Sequence, residues 1–97
     1  MKKGYWVVAY KSVSDYSAVK AYAALAVPAI ESFGGRLLTG SASQIEVHEA
    51  GMMQPAIVVE FESYDRAVAA YKNDAYKKAL EALGSGADRD FRIVEGA

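Results

Sequence analysis

The apolar positions of this 97-residue chain fall into two similar cycles. Residues 6–10 read Trp-Val-Val-Ala-Tyr and residues 18–22 read Ala-Val-Lys-Ala-Tyr. Residues 57–61 then read Ile-Val-Val-Glu-Phe and residues 67–71 read Ala-Val-Ala-Ala-Tyr. A strand-like run followed by a helix-like run, given twice in a small chain, marks a duplicated βαβ unit. Gly4–Lys11 is apolar at both alternating sets of positions, which predicts a strand covered on both faces. Ser14 stands where a helix N-cap belongs, with Asp15 in the first turn. Tyr16, Val19, Ala23, Ala26, Ile30 and Phe33 recur at helical spacing, with Pro28 inside the pattern as a kink or restart and Gly34-Gly35 as the stop. Arg36–Thr39 reads as a short strand, Gly40–Ser43 as a bend, Gln44–Glu49 as a strictly alternating strand and Ala56–Phe61 as a second doubly covered one. Tyr64–Lys72 predicts a helix. Asn73-Asp74 breaks it and caps a third along Tyr76, Leu80 and Leu83, and Phe91–Glu95 is a last strand. The order β-α-β-β-α-(α)-β is the ferredoxin-like plan, an α+β domain over residues 1–97 with an antiparallel sheet.

The two cycles also sort the side chains by face. Trp6 aligns with Ile57, Val8 with Val59 and Tyr10 with Phe61, and their bulk suits the side under the helices. Tyr5, Val7, Ala9, Val58 and Glu60 fall on the opposite face. A hairpin in which Glu49 faces Pro55 sets Val47 against Ile57, Ile45 against Val59 and Gln44 against Glu60. That register gathers Gln44, Glu46, His48 and Glu60 on the side away from the helices. Helices on one side only leave the other sheet face, with Tyr5, Val7 and Val58, in need of cover. A second copy packed face to face, as a dimeric α/β barrel, supplies it.

Composition narrows the classes. Apolar residues make up 53% of the chain and seven are tyrosines, an excess that points to a second buried surface such as a homodimer interface. Eleven basic and twelve acidic residues nearly cancel, and no Lys/Arg run exceeds a pair, so the footprint of a nucleic-acid binder is missing. There is no cysteine, which removes disulfides and thiolate chemistry. The early apolar run Tyr5–Tyr10 is far short of a membrane span or a signal core, so a soluble, cytoplasmic protein without membrane partners is expected.

Several stretches together resemble the domain-of-unknown-function family numbered 1330, within the dimeric α/β-barrel group. They are Gly4-Tyr5-Trp6, Phe33-Gly34-Gly35-Arg36-Leu37-Leu38, Val59-Glu60-Phe61 with Ser63, Ala70-Tyr71 followed by Tyr76, and Val94-Glu95-Gly96. The resemblance implies a ferredoxin-like fold and a homodimer, and it brings no established activity. The chain departs from the family's usual Phe-Pro-Ser at Phe61-Glu62-Ser63, from its Ser-Pro-Glu-Tyr at Asn73-Asp74-Ala75-Tyr76, and from a customary arginine at Leu83. Activities of the wider barrel group, which include cofactor-free monooxygenases and isomerases, are analogy at the level of fold.

Candidate chemistry is sparse. His48 is the only histidine; with Glu46 beside it and Glu60 on the next strand it forms a candidate general base oriented by a carboxylate. The plainer reading is a solvated histidine near a hairpin end. Glu60 interrupts an apolar strand, and serves either a ligand or an ion pair with Arg36 or Arg92. Tyr5, Arg36, Gln44 and Glu46 are candidate ligand-binding residues, with Arg36 placed to clamp a carboxylate. A metal site of His48, Glu46 and Glu60 has no recognisable motif, and no cofactor is called for. The tyrosines with Trp6 line an aromatic pocket or fill the core, and Met52-Met53 sit in a loop able to act as a lid or pack on a partner. The expectation is a homodimeric module that binds a small apolar or aromatic ligand or is purely structural. The alternative is a cofactor-independent enzyme acting on a small aromatic or carbonyl compound.

Overall fold

Gly4–Val13 forms the strand β1, hydrogen-bonded to a strand on each side; only one of its two apolar faces is covered within the chain, and Val7 on the other is 41% exposed. The computed structural model describes all 97 residues. The remaining elements are α1 (Tyr16–Ser32), β2 (Arg36–Leu37), β3 (Ala56–Phe61), α2 (Tyr64–Lys72), α3 (Asp74–Leu83) and β4 (Ala87–Glu95). The four strands are antiparallel in the order β2-β3-β1-β4, the ferredoxin-like arrangement.

The pairing bears out the expected sidedness. Trp6 lies opposite Val59 and Ile93, and Val8 opposite Ile57 and Phe91. Facing residues of an antiparallel pair share a face, so these side chains stand together beneath the helices with Phe61 and Tyr76. Tyr5, Val7, Val58 and Glu60 occupy the outer face, as the duplicated pattern predicts.

The helix ends follow their local sequence. Asp15, not Ser14, is the N-cap of α1: its Oδ1 accepts from the backbone N–H of Ser17 and Ala18. Ser14 instead donates its hydroxyl to the Ser85 carbonyl. The helix runs unbroken through Pro28 to Ser32. Gly34 then takes φ +75°, donating to Glu31 O while Gly35 donates to Ile30 O, the paired bonds of a Schellman close. Ser63 caps α2 through Arg66 N, and Asn73 caps α3 through Tyr76 N, as the break at Asn73-Asp74 predicts.

Two elements differ from expectation. Gln44–Glu49 is not a strand. The exposed edge of β3 spans six residues, and Arg36, Leu37, Leu38 and Thr39 already occupy it. Leu38 N donates to Val58 O, then the Thr39 hydroxyl donates to Ala56 O and accepts from Val58 N. The alternating run therefore has no ladder to join, and the opposition of Gln44 to Glu60 does not form; Arg36 lies opposite Glu60 instead. The last strand begins at Ala87, four residues earlier than Phe91, because Ala87-Asp88-Arg89-Asp90 pairs with the far end of β1 across a bulge between Tyr10 and Ser12.

Gly4 sets how closely α2 approaches the sheet: a β-carbon there would lie 2.5 Å from the Ser63 carbonyl oxygen and 2.7 Å from Tyr64 Cα. Gly34 has open space but a left-handed backbone. We expect Gly4→Ala to lower unfolding free energy by about 2–3 kcal/mol, because backbone must move, and Gly34→Ala by only about 1 kcal/mol. Urea titration of both variants checks the order.

Candidate functional site

Apart from Tyr22, the side chains that α1 turns toward the sheet near its middle are short. Val19, Ala23 and Ala26 do not reach Val8, Tyr10 and Ile57 on the strands below, and a cavity of about 490 Å³ lies between them. Its walls are mostly apolar. The segment that failed to become a strand supplies part of its rim through Gly40, Ser41, Met53, Gln54 and Pro55. Met53 and Tyr16, both largely exposed, stand at its mouth. The volume lies in the usual range for small-molecule sites.

Arg89 enters this cavity from β4, directly opposite Tyr10 of β1. Its guanidinium carbon sits 4.7 Å from the ring centre of Tyr22, 5.3 Å from Phe91 and 5.5 Å from Tyr10. Its Nη1 donates to Tyr22 Oη at 3.0 Å, and Tyr22 Oη shares a 2.7 Å hydrogen bond with the fully buried Tyr76 Oη. Asp88 and Asp90, its neighbours on the strand, point the other way by alternation, and Asp90 is taken by Arg92. Arg89 has no acidic partner. Burial pulls its guanidinium toward neutrality, but the hydroxyls of Tyr22 and Tyr76 outweigh it, and the group stays cationic above its ordinary range. Burial, then Tyr22, push the hydroxyls of Tyr10 and Tyr76 upward, so both remain neutral phenols.

None of the six polar candidates, Tyr5, Arg36, Gln44, Glu46, His48 and Glu60, lines this cavity. Glu60 is on the outer sheet face, 17% exposed, with Oε1 3.1 Å from Arg36 Nη2 and Oε2 accepting from Tyr5 Oη at 3.3 Å. Arg36 is itself 72% exposed, so the pair is a partly solvated one. His48 and Glu46 form their own contact at 2.6 Å in the loop, with side chains 73% and 85% exposed. Gln44 is exposed in the same loop. The structure thus joins Tyr5, Arg36 and Glu60, joins Glu46 and His48, and does not bring the two groups together. No three acidic or histidine side chains converge as metal ligands would.

Trp6, Tyr10, Tyr16 and Tyr22, which the sequence offers as an aromatic pocket or as core, do line the cavity, whereas Arg89 is the residue the sequence reading did not single out. Asp88-Arg89-Asp90 looks like a polar loop. The available signal was parity: Arg89 shares its strand face with Phe91 and Ile93, and a charge in step with core residues is out of place.

The profile of the family called domain of unknown function (DUF1330) matches residues 3–97. Among solved structures, a protein of unknown function from Rhodopseudomonas palustris is similar with a TM-score of 0.74, at 13% identity over 99% of this chain and 83% of its own. A dimeric ferredoxin-like protein of unknown function from Thermobifida fusca has a TM-score of 0.55, at 12% identity over 97% of this chain and 91% of its own. A conserved protein from Bacteroides thetaiotaomicron, described as a possible oxidoreductase, has a TM-score of 0.52, at 10% identity over 97% of this chain and 95% of its own. No curated protein sequence matches. No helix is long and apolar enough to cross a membrane.

The tyrosine cluster makes stability depend on alkaline pH. An unfolded tyrosine ionises near 10, whereas Tyr76 in the fold holds its proton well above that. Above pH 10 the unfolded chain therefore binds fewer protons, and stability is lost as pH rises, by roughly 1.4 kcal/mol per pH unit for a phenol that stays fully protonated. Urea midpoints measured between pH 9 and 11 should fall, and Tyr76→Phe should flatten the fall.

Proposed function

The chain belongs to the DUF1330 family, and from that starting point we propose that it is a homodimeric small-molecule-binding module. The ligand occupies the cavity between α1 and the sheet. The observation that carries this reading is the cavity itself: about 490 Å³ of mostly apolar space inside a domain of 97 residues, walled by Val8, Tyr10, Tyr22 and Ile57. A cleft of this size, open on one side, leaves its apolar walls against water, and a bound ligand covers them.

The dimer rests on the outer sheet face. No helix covers it; Val7 is 41% exposed and Val94 45% exposed. The dimeric Thermobifida fusca relative has the same fold. In a symmetric pair the Tyr5, Arg36 and Glu60 group lies at or beside the contact, where it serves to fix the register of two sheets.

A cofactor-independent enzyme is the second reading, and the relative described as a possible oxidoreductase speaks for it. The cavity lining holds no carboxylate and no imidazole, the groups that proton transfer draws on first. Glu60 and His48, the sequence-based candidates for a base, lie elsewhere. Binding is therefore the better supported function.

Trp6, the only tryptophan, forms part of the cavity wall and reports occupancy by its fluorescence. Titration with small aromatic compounds should saturate with one site per chain at micromolar to millimolar concentration, and Val19→Phe, which fills the space, should abolish it. Failure of every compound to bind up to its solubility would sink the reading. Sedimentation should give a dimer at micromolar concentration, shifted toward monomer by Val7→Lys.

A further inference from the structure

We infer that the ligand of this cavity is a monoanion with an aromatic or other apolar body, in the first place a small monocarboxylic acid, anchored by Arg89. The inference rests on the cavity being a ligand site, as proposed above, and adds the charge and orientation of what it takes.

The argument begins with the charges. The chain carries a net charge of −1, yet the only charged residues lining the cavity are cations, Arg89 and Lys11. Lys11 is the extra residue at the β1 bulge, which brings it to the cavity rim. A charge moved out of water without a counter-charge is costly, and half-buried arginines normally meet a carboxylate. Arg89 meets only tyrosine and phenylalanine. The rings offset part of that cost through their faces, and they also fix the guanidinium in place between Tyr10, Tyr22 and Phe91.

The hydrogen bonds supply the direction. Only Nη1 of Arg89 has an acceptor, Tyr22 Oη. No closed-off side-chain nitrogen or oxygen in the molecule lacks a partner. The Arg89 nitrogens without an acceptor are therefore not sealed off, and Arg89 is among the residues that line the cavity. A planar fork held by three rings, with free N–H groups at the wall of an apolar chamber, matches the two oxygens of a carboxylate. The apolar remainder of such a ligand then lies along Val8, Ile57 and Val19. The Tyr76–Tyr22 hydroxyl pair has a distinct job: it holds the acceptor that aligns Nη1, and Tyr22 is a positioning residue.

The test uses matched pairs that differ only in charge: benzoate with benzamide, phenylacetate with phenylacetamide, and cinnamate with cinnamamide. Each is titrated into the wild-type protein with Trp6 fluorescence and calorimetry as readouts. The acid should bind at least about tenfold more tightly than its amide in every pair that binds. Arg89→Gln should erase that preference, and Arg89→Lys, which keeps the charge but loses the fork, should keep a smaller part of it. Tyr22→Phe, which removes the acceptor that aligns Nη1, should weaken the acid by a larger factor than the amide and so narrow the preference between them. Equal binding of acids and amides to the wild-type protein overturns the inference and leaves the cavity reading standing. Absence of binding by both members of all three pairs overturns the cavity reading along with it. The wild-type comparison decides the matter even where an Arg89 variant fails to fold.

Discussion

The structure is organised around the indole of Trp6. It is 1% exposed, and its Nε1 donates to the Ala67 carbonyl at 2.9 Å, tying β1 to α2. Phe61, Tyr71, Tyr76 and Phe91 surround the ring with centroid distances between 4.9 and 6.2 Å. One side chain thereby joins three strands' worth of core to two helices. Around it the helices contribute small residues: Ala67, Ala70 and Ala79 are wholly buried. Small residues on α2 and α3 are what make room for so large a ring.

The same constraint produces the empty space. Trp6 and its aromatic neighbours hold α2 and α3 on the sheet, while α1 packs chiefly on α3. The N-terminal half of α1 lies over the far ends of β1 and β3, and between Tyr16 and Tyr22 it turns the shorter Val19 toward them. The void is thus a result of where the bulk was placed. Arg89 and Tyr22 lie at the junction: Tyr22 reaches back through Tyr76 into the aromatic cluster, and Arg89 faces the void. The cavity wall and the core share one hydrogen-bonded chain.

Much of this architecture was legible in the residues. The duplicated apolar pattern placed Trp6, Val8, Ile57, Val59 and Phe61 on one side of the sheet, and the cap at Asn73 marked the start of α3. Such features are local, and local chemistry specifies them. Gln44–Glu49 misled because alternation says only that a segment could pair; whether an edge is free depends on what else has taken it, here Arg36 through Thr39. Arg89 was passed over for the reverse reason. Asp88-Arg89-Asp90 has no apolar pattern, and it becomes a strand because the long end of β1 offers it a partner. Glu60 is out of character in its apolar strand and pairs with Arg36, but this break in the repeat marks the outer face rather than the cavity. The six chosen residues share polarity; the cavity is defined by shape, which a sequence does not display.

Thr39 carries a consequence for how the protein behaves in a crowded solution. A sheet with an open border invites a stray chain to add itself as another strand. On the β3 side, one hydroxyl occupies both the donor and the acceptor that such a chain would seek, at Val58 and Ala56. On the opposite border, β4 carries Asp88, Asp90, Arg92 and Glu95, whose charges resist the close approach of another backbone. Addition of a further strand is thereby opposed on both sides of a sheet whose outer face no helix covers.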